Sequence, residues 1–467
     1  MTTPTSAPSR QLTLFDSTNI IVGIIIGVGV YQMAPAIASG IGPIRDFLAP
    51  WLPFLSPESV SRLAVLLLWV VGGLISLFGA LGYAELASAF PRAGGDYVYL
   101  SRAYGRWAGY LFGWVQLSIV RPGDITVMAL AFATYALQVS NPSADALTSQ
   151  TGKLMACGAV IFLTAIHILG VRQGKWTQNL LTVAKAVGLL VIAIVAFTAN
   201  EAPAAPAPSF QLPWATALVL VLFTYGGWNE MAYVAAEVKD PSRNIVRALV
   251  LGTVAVIALY LLINAAFLHV LGYNGLVGSK AVATDVVATV YLSIASKVIS
   301  ILICVSALGA VNGLIFTGAR ISYAIGQEHP TFRPLGSWNS KTGTPIWALV
   351  AQAIIAVVMI LSMDYIKALI YTAVAVYGFY LATSLAVIVL RFREPAAARP
   401  YRVTGYPIPT LIFCGVCGYL VFNCIQYAWK NYPKALIVMA VTFLVGVALL
   451  IADMAISRVQ QKLSEPK

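Results

Sequence analysis

Ile24-Ile25-Ile26-Gly27-Val28-Gly29-Val30-Tyr31 and Phe223-Thr224-Tyr225-Gly226-Gly227-Trp228-Asn229 are two glycine interruptions in otherwise continuous apolar segments. A helix crossing hydrocarbon must satisfy its own backbone, so glycine clusters at mid-membrane depth in corresponding segments point to locally unwound helices beside a cavity. Glycine also serves close helix packing in membranes, and spacing alone leaves both readings open.

The surrounding chain fixes the environment. Of its 467 residues 59% are hydrophobic and only 10% charged, with a mean hydropathy of +0.83, which places it among polytopic membrane proteins. About twelve windows near 17–39, 63–90, 107–138, 154–171, 177–199, 213–236, 246–271, 286–326, 345–362, 366–391, 408–428 and 434–456 are long enough to cross hydrocarbon. The stretch from Met1 to Phe15 is polar and the first apolar run is long, so an uncleaved, cytoplasmic N-terminus is expected. With both ends inside, most of the 29 Lys and Arg fall on the cytoplasmic side, including Arg92, Arg102, Arg243, Arg247, Arg391 and Arg402. The net charge of +12 thus reflects topology and anionic-lipid contact rather than nucleic-acid binding.

These windows organise the chain as a cytoplasmic tail over 1–16, one transmembrane domain over 17–456 and a cytoplasmic tail over 457–467. If spans one to five (17–199) and six to ten (213–391) are copies of one unit, their odd number inverts one copy in the membrane, and breaks are expected at equivalent places, spans one and six. Two extra helices (408–456) follow. Ile41 to Ser61, with Trp51 and Phe54, reads as an interfacial cap, and Asn200 to Pro213 as an external linker.

An opened helix at Gly27-Val28-Gly29 turns consecutive N–H groups toward one point, a nest suited to a carboxylate. A break at Gly226-Gly227 frees carbonyls at the negative end of a half-helix, which suits an ammonium. An α-amino acid carries both charges.

With these residues the sequence resembles the amino acid/polyamine/organocation superfamily of permeases, in its L-amino acid transporter-like branch. The resemblance runs from about Ile21 to Pro409 and rests on ordered motifs: Ile25-Ile26-Gly27-Val28-Gly29, Gly79 to Leu86, Pro91-Arg92-Ala93-Gly94-Gly95-Asp96-Tyr97, Arg121-Pro122, Tyr225 to Asn229 with Glu237 and Pro241-Ser242-Arg243-Asn244, Gly309 to Gly313 with Arg320, and Arg399 to Val403. It implies an all-α fold of inverted five-helix repeats with helices one and six broken, and alternating access around a mid-membrane amino acid site. By the same resemblance, the substrate carboxylate meets the backbone of Gly27, Val28 and Gly29, and its amino group meets carbonyls of Ile25, Phe223, Thr224 and Gly226. Phe223 resembles the family's aromatic gate, and Asn229 is placed to fix the unwound segment or touch substrate. Many relatives carry Ser or Thr where Val28 stands, so one hydrogen bond of about 0.5–1.5 kcal/mol is absent here.

Lys185 lies roughly 12 Å into the fifth span, near the midplane, where an ammonium is costly and usually functional. The resemblance implies that it occupies the position sodium takes in sodium-coupled relatives, tying the first break to span eight near Ser306. A proton-carrying role and a lipid-facing one stay open. Arg121 and Asp124, three apart on one face, are expected to neutralise each other. Glu85 and Glu237 are expected to pair with loop arginines such as Arg92 or Arg243, and Glu230 has no assigned role.

No metal-ligand spacing, nucleophile constellation or phosphate-cradling loop occurs, so an enzyme, an ATP-driven pump and a cofactor-dependent protein are disfavoured. The five cysteines all fall in predicted spans, and Cys414-x-x-Cys417 reads as packing. Eukaryotic relatives join a glycoprotein through a cysteine between spans three and four. Ser140 to Gly152 contains none, so a bacterial cytoplasmic-membrane permease without a disulfide-linked partner is expected. The expected function is sodium-independent transport of neutral L-amino acids, by exchange; the alternative is a proton-coupled amino acid or polyamine/organocation permease.

Overall fold

In the computed structural model, residues 8–140, 149–203, 205–206, 211–291, 294–362 and 365–464 are described. Parts of the expected tails, of the 200–213 linker and of the 140–152 loop lie outside them. The described chain is helical: α1 Leu14–Ile25, α2 Gly29–Gln32, α3 Ala34–Ala38, α4 Gly42–Leu48, α5 Pro57–Ala89, α6 Asp96–Tyr104, α7 Arg106–Val115, α8 Arg121–Ser140, α9 Gln150–Leu169, α10 Val171–Thr198, α11 Trp214–Thr224, α12 Glu230–Tyr233, α13 Pro241–Gly278, α14 Val282–Ala288, α15 Ala295–Glu328, α16 Ile346–Ser362, α17 Tyr365–Arg393, α18 Ile408–Asn431 and α19 Pro433–Ser464.

Among the described residues, ten helices are long and apolar enough to cross a membrane. Two further apolar helices are shorter: α11 is cut to 11 residues by the second glycine break, and α16 has 17. Between α7 and α8 a π-helical turn, Gln116–Val120, keeps this crossing continuous while rotating its register. The expected interfacial cap contains α4, with Phe47, Trp51 and Phe54 strongly exposed.

Burial sorts the helices into layers. Leu180, Val187 and Ile194 on α10 and Phe443, Leu444 and Ile451 on α19 are exposed in a stripe that suits acyl chains. Toward the centre, α8 packs along α15 and α5 along α13, enclosing α1 and the α11–α12 pair. A capping box between Thr13 and Asp16 starts α1, and Lys175 (3.1 Å) and Asn179 (2.7 Å) hold Asp16 against α10. Just before it, Leu12 pairs with Val238, with N–H groups of Gln11 and Leu12 donating to the Glu237 carbonyl at 2.8 Å. The stretch after α12 is thereby anchored to the start of the chain.

The carboxylates at one end of this bundle choose partners other than those expected. Glu85 accepts from Arg391 at 2.9 and 2.5 Å and from the Val403 N–H, with Arg399 at 3.4 Å. Glu237 accepts from Arg320 at 2.7 and 3.2 Å. Arg92 and Arg243 lie nearer in sequence but are exposed, whereas the arginines that reach these carboxylates are buried (Arg320) or half-buried (Arg391, Arg399) and come from α15, α17 and the loop before α18.

Candidate functional site

Helix α1 ends where Ile26 leaves helical geometry (φ −74°, ψ 77°), and α2 restarts at Gly29. Three groups hold the exposed carbonyls. Lys185, fully buried, donates to Gly23 O, to Ile26 O at 2.8 Å and to Ser306 O at 3.2 Å. Ser306 Oγ lies 2.9 Å from both Ile26 O and Gly27 O. Tyr260 Oη lies 2.9 Å from Ile25 O and 3.3 Å from Thr224 O, so one phenol bridges the ends of both interrupted helices.

The second interruption runs from Tyr225 to Asn229 between α11 and α12. Gly227 adopts φ +110°, a left-handed region that side chains rarely enter, and a Cβ there would meet Ile24 Cγ2 at 2.7 Å. A Cβ on Gly29 would lie 3.1 Å from the Thr224 side chain. Glycine is therefore what lets the two breaks approach each other. Asn229 donates to Tyr233 Oη at 2.9 Å and accepts from Tyr380 Oη at 2.8 Å, tying the start of α12 to α17.

A cavity of about 110 Å³ lies against both breaks. Ile25, Gly27, Gly29, Phe223, Thr224, Gly226 and Asn229 line it; Val28 is fully buried and does not. Lys185 and Ser306 sit behind the first break, outside the cavity lining. The sequence-derived residues thus divide into a lining and a support.

The remaining wall comes from α6, α7, α8, α12, α15, α17 and the π turn. Arg121 does not pair with Asp124. Its Nη1 and Nη2 meet Glu230 at 2.8 and 2.7 Å, and its Nε donates to Gln116 at 3.1 Å. A carboxylate brought across from α12 can take both guanidinium N–H groups in a fork, whereas Asp124 is one turn along the same helix as Arg121. Thr317 completes Glu230 at 2.6 Å. Asp96, buried at the start of α6, accepts from Tyr83 and Tyr233, each at 2.5 Å. Sequence reasoning missed Tyr260, Asp96, Tyr233 and Tyr380. Tyr260 carries the one available signal, a lone phenol inside Val254-Ala255-Val256-Ile257-Ala258-Leu259-Tyr260-Leu261-Leu262-Ile263.

Among the described residues no cluster of His, Cys, Asp or Glu is arranged to hold a metal ion. A multi-pass helical bundle with a central cavity bounded by two interrupted helices defines a membrane transporter rather than an enzyme. The family model described as "Amino acid permease" matches residues 12–452. Mouse b(0,+)-type amino acid transporter 1 is 31% identical over 418 residues, covering 87% of this chain and 81% of that protein. The serine/threonine exchanger SteT of Bacillus subtilis is 30% identical over 422 residues, covering 89% and 91%. Human large neutral amino acids transporter small subunit 2 is 30% identical over 420 residues, covering 87% and 75%. The chain belongs to the amino acid permease family, within the amino acid/polyamine/organocation superfamily.

Proposed function

We propose that this protein exchanges L-α-amino acids, neutral ones among them, across a bacterial cytoplasmic membrane by alternating access and without sodium. One observation carries the reading: two interrupted helices face the same cavity, one with the N–H groups that open α2, the other with the carbonyls that end α11. The first N–H groups of a helix have no intrahelical acceptor and favour anions; the carbonyl end favours cations. Of the Gly27-Val28-Gly29 backbone, the Gly29 N–H at the start of α2 faces the cavity and takes the substrate carboxylate, with Gly27, whose N–H also donates to Ile25 O at 2.7 Å, beside it and Val28 behind. Carbonyls of Ile25, Phe223, Thr224 and Gly226 take its ammonium; Ile25 O also accepts from Tyr260 and from the Gly27 N–H, and Phe223 O from the Gly226 N–H, so the Thr224 and Gly226 oxygens have the most lone-pair capacity to offer. Phe223 closes over the substrate, and Asn229 braces the second break against α17.

Adding the two shorter apolar helices to the ten long ones makes twelve crossings, arranged as two inverted five-helix units plus two helices, with both termini in the cytoplasm. Lys185 and Ser306 supply at the first break the fixed cationic cross-link that lets the cycle run without sodium. No disulfide-linked partner is needed.

A proton-coupled amino acid or polyamine permease is the second reading, favoured by the absence of a carboxylate partner for Lys185 among the described residues. Uptake into proteoliposomes separates the two. Exchange requires amino acid in the lumen and proceeds equally in sodium and choline media. Uptake into empty vesicles driven by a proton gradient supports the second reading, and a sodium requirement contradicts both.

A further inference from the structure

Ile25 and Ile26 are neighbours whose carbonyls go to different parts of the bundle. Ile26 O is taken by Lys185 on α10 and Ser306 on α15, whereas Ile25 O is taken by Tyr260 on α13. The same phenol reaches Thr224 O. Ile25 is the last residue of α1 and Thr224 the last of α11, so the end carbonyls of both interrupted helices converge on one hydroxyl. Both of those residues line the cavity, while Tyr260 is fully buried and does not. The phenol therefore meets the two oxygens from behind, with the cavity in front of them.

The ring is braced in that position. It lies edge-on to Trp69 at 5.6 Å and tilted against Tyr225 at 5.1 Å, and Tyr225 Oη donates to Trp69 O at 3.2 Å. A phenol carries a single hydrogen, so it satisfies one of its two carbonyls at a time. Ile25 O has a second donor in the Gly27 N–H at 2.7 Å, whereas Thr224 O has no main-chain donor among the described residues. An ammonium entering from the cavity side brings three hydrogens to oxygens that the phenol leaves short of one.

We infer that Tyr260 is a positioning residue for the substrate ammonium: its hydroxyl fixes the separation of the Ile25 and Thr224 carbonyls and leaves their remaining lone pairs turned toward the cavity. This rests on, and deepens, the zwitterion site at the two breaks. Tyr260 acts through those carbonyls without touching substrate, and it acts on the amine end alone, because its hydroxyl bonds only to the ends of α1 and α11 among the described residues and not to the N–H groups that open α2.

L-Norleucine and hexanoate share a carboxylate and a chain and differ by the α-amine, so the ratio of their affinities reports the ammonium pocket. Competition against a radiolabelled neutral amino acid in loaded proteoliposomes, and thermal-shift binding to the purified full-length protein, give that ratio for three proteins. These are the wild type, Tyr260→Phe, and a variant with para-aminophenylalanine at position 260, which returns a donor to the same point. The inference expects Y260F to bind norleucine about tenfold or more weakly and hexanoate within about threefold, with the para-amino variant recovering norleucine affinity. An unchanged ratio in Y260F, including an equal loss of both ligands, marks a merely structural phenol and overturns it. Tighter norleucine binding in Y260F also overturns it, since the phenol would then compete with the ammonium. If Y260F does not survive purification, the same competition in membrane vesicles taken directly from expressing cells decides. Wild-type protein that binds hexanoate as tightly as norleucine contradicts the zwitterion site itself, and the inference falls with it.

Discussion

Lys185 is an ammonium held without a carboxylate, by main-chain carbonyls of Gly23 and Ile26 that the interruption of α1 leaves free and by that of Ser306 on α15. Without Lys185, Ile26 O keeps the Ser306 hydroxyl, but Gly23 O would be left buried and unpaired at a cost of about 1–3 kcal/mol. Lys185→Ala is therefore expected to lower the apparent Tm and reduce transport roughly tenfold or more, read as initial uptake rates at matched protein. Normal kinetics would assign Lys185 no part in the site. Val28 makes the opposite prediction. Its side chain is buried away from the cavity, so Val28→Ser should leave amino acid affinity within about threefold, while burying a hydroxyl costs about 1–3 kcal/mol of stability. Competition binding and thermal melts on one preparation check both.

Lys185 was legible in the sequence because one charge deep in an apolar span has few bland explanations. Asp124 and Arg121 were not: helical spacing put them on one face, and only tertiary structure shows that Glu230, 109 residues away, takes the guanidinium. The tyrosines around the breaks escaped for a related reason, since a phenol on an apolar helix gives no hint in sequence whether its hydroxyl finds a carbonyl.

At the scale of the element, the interruptions are built from glycine geometry. Gly227 sits at φ +110° against Ile24, so Gly227→Ala forces both a strained backbone and a shift of α1. The expected outcome is a folded protein that reaches the membrane and loses substrate binding; wild-type affinity would show that the two breaks need not touch. The link between α8 and α12 tests separately. Removing one side of the buried Arg121–Glu230 pair should destabilise by about 3–5 kcal/mol, because the other charge stays buried alone. Arg121→Met with Glu230→Met should cost less than either single change, measured by thermal melts as a double-mutant cycle. The positions of both breaks were legible because glycine clusters are conspicuous in apolar runs. Their mutual approach was not, because it depends on α1 lying beside α12 and α11 beside α2 and α3.

At the scale of the whole molecule, the order of the hydrophobic segments could be read directly, ten of the twelve windows falling on helices long and apolar enough to cross a membrane among the described residues, whereas the ion pairs among α5, α15, α17 and the loop before α18 could not, since neighbours in sequence are not neighbours here. The N-terminal stretch around Leu12 pairs with the chain after α12, and Glu237 in that same stretch pairs with Arg320, so the second break connects to one end of the bundle through a short, buried path. The central claim is that the two breaks together bind a zwitterion, and binding of L-norleucine to the purified protein against its two single-deletion analogues, hexanoate without the amine and pentylamine without the carboxylate, tests it most directly. The account predicts that norleucine binds and that each analogue is weaker by about a hundredfold or more, since each leaves one end of the site unpaired; an analogue that binds as tightly as norleucine would contradict it.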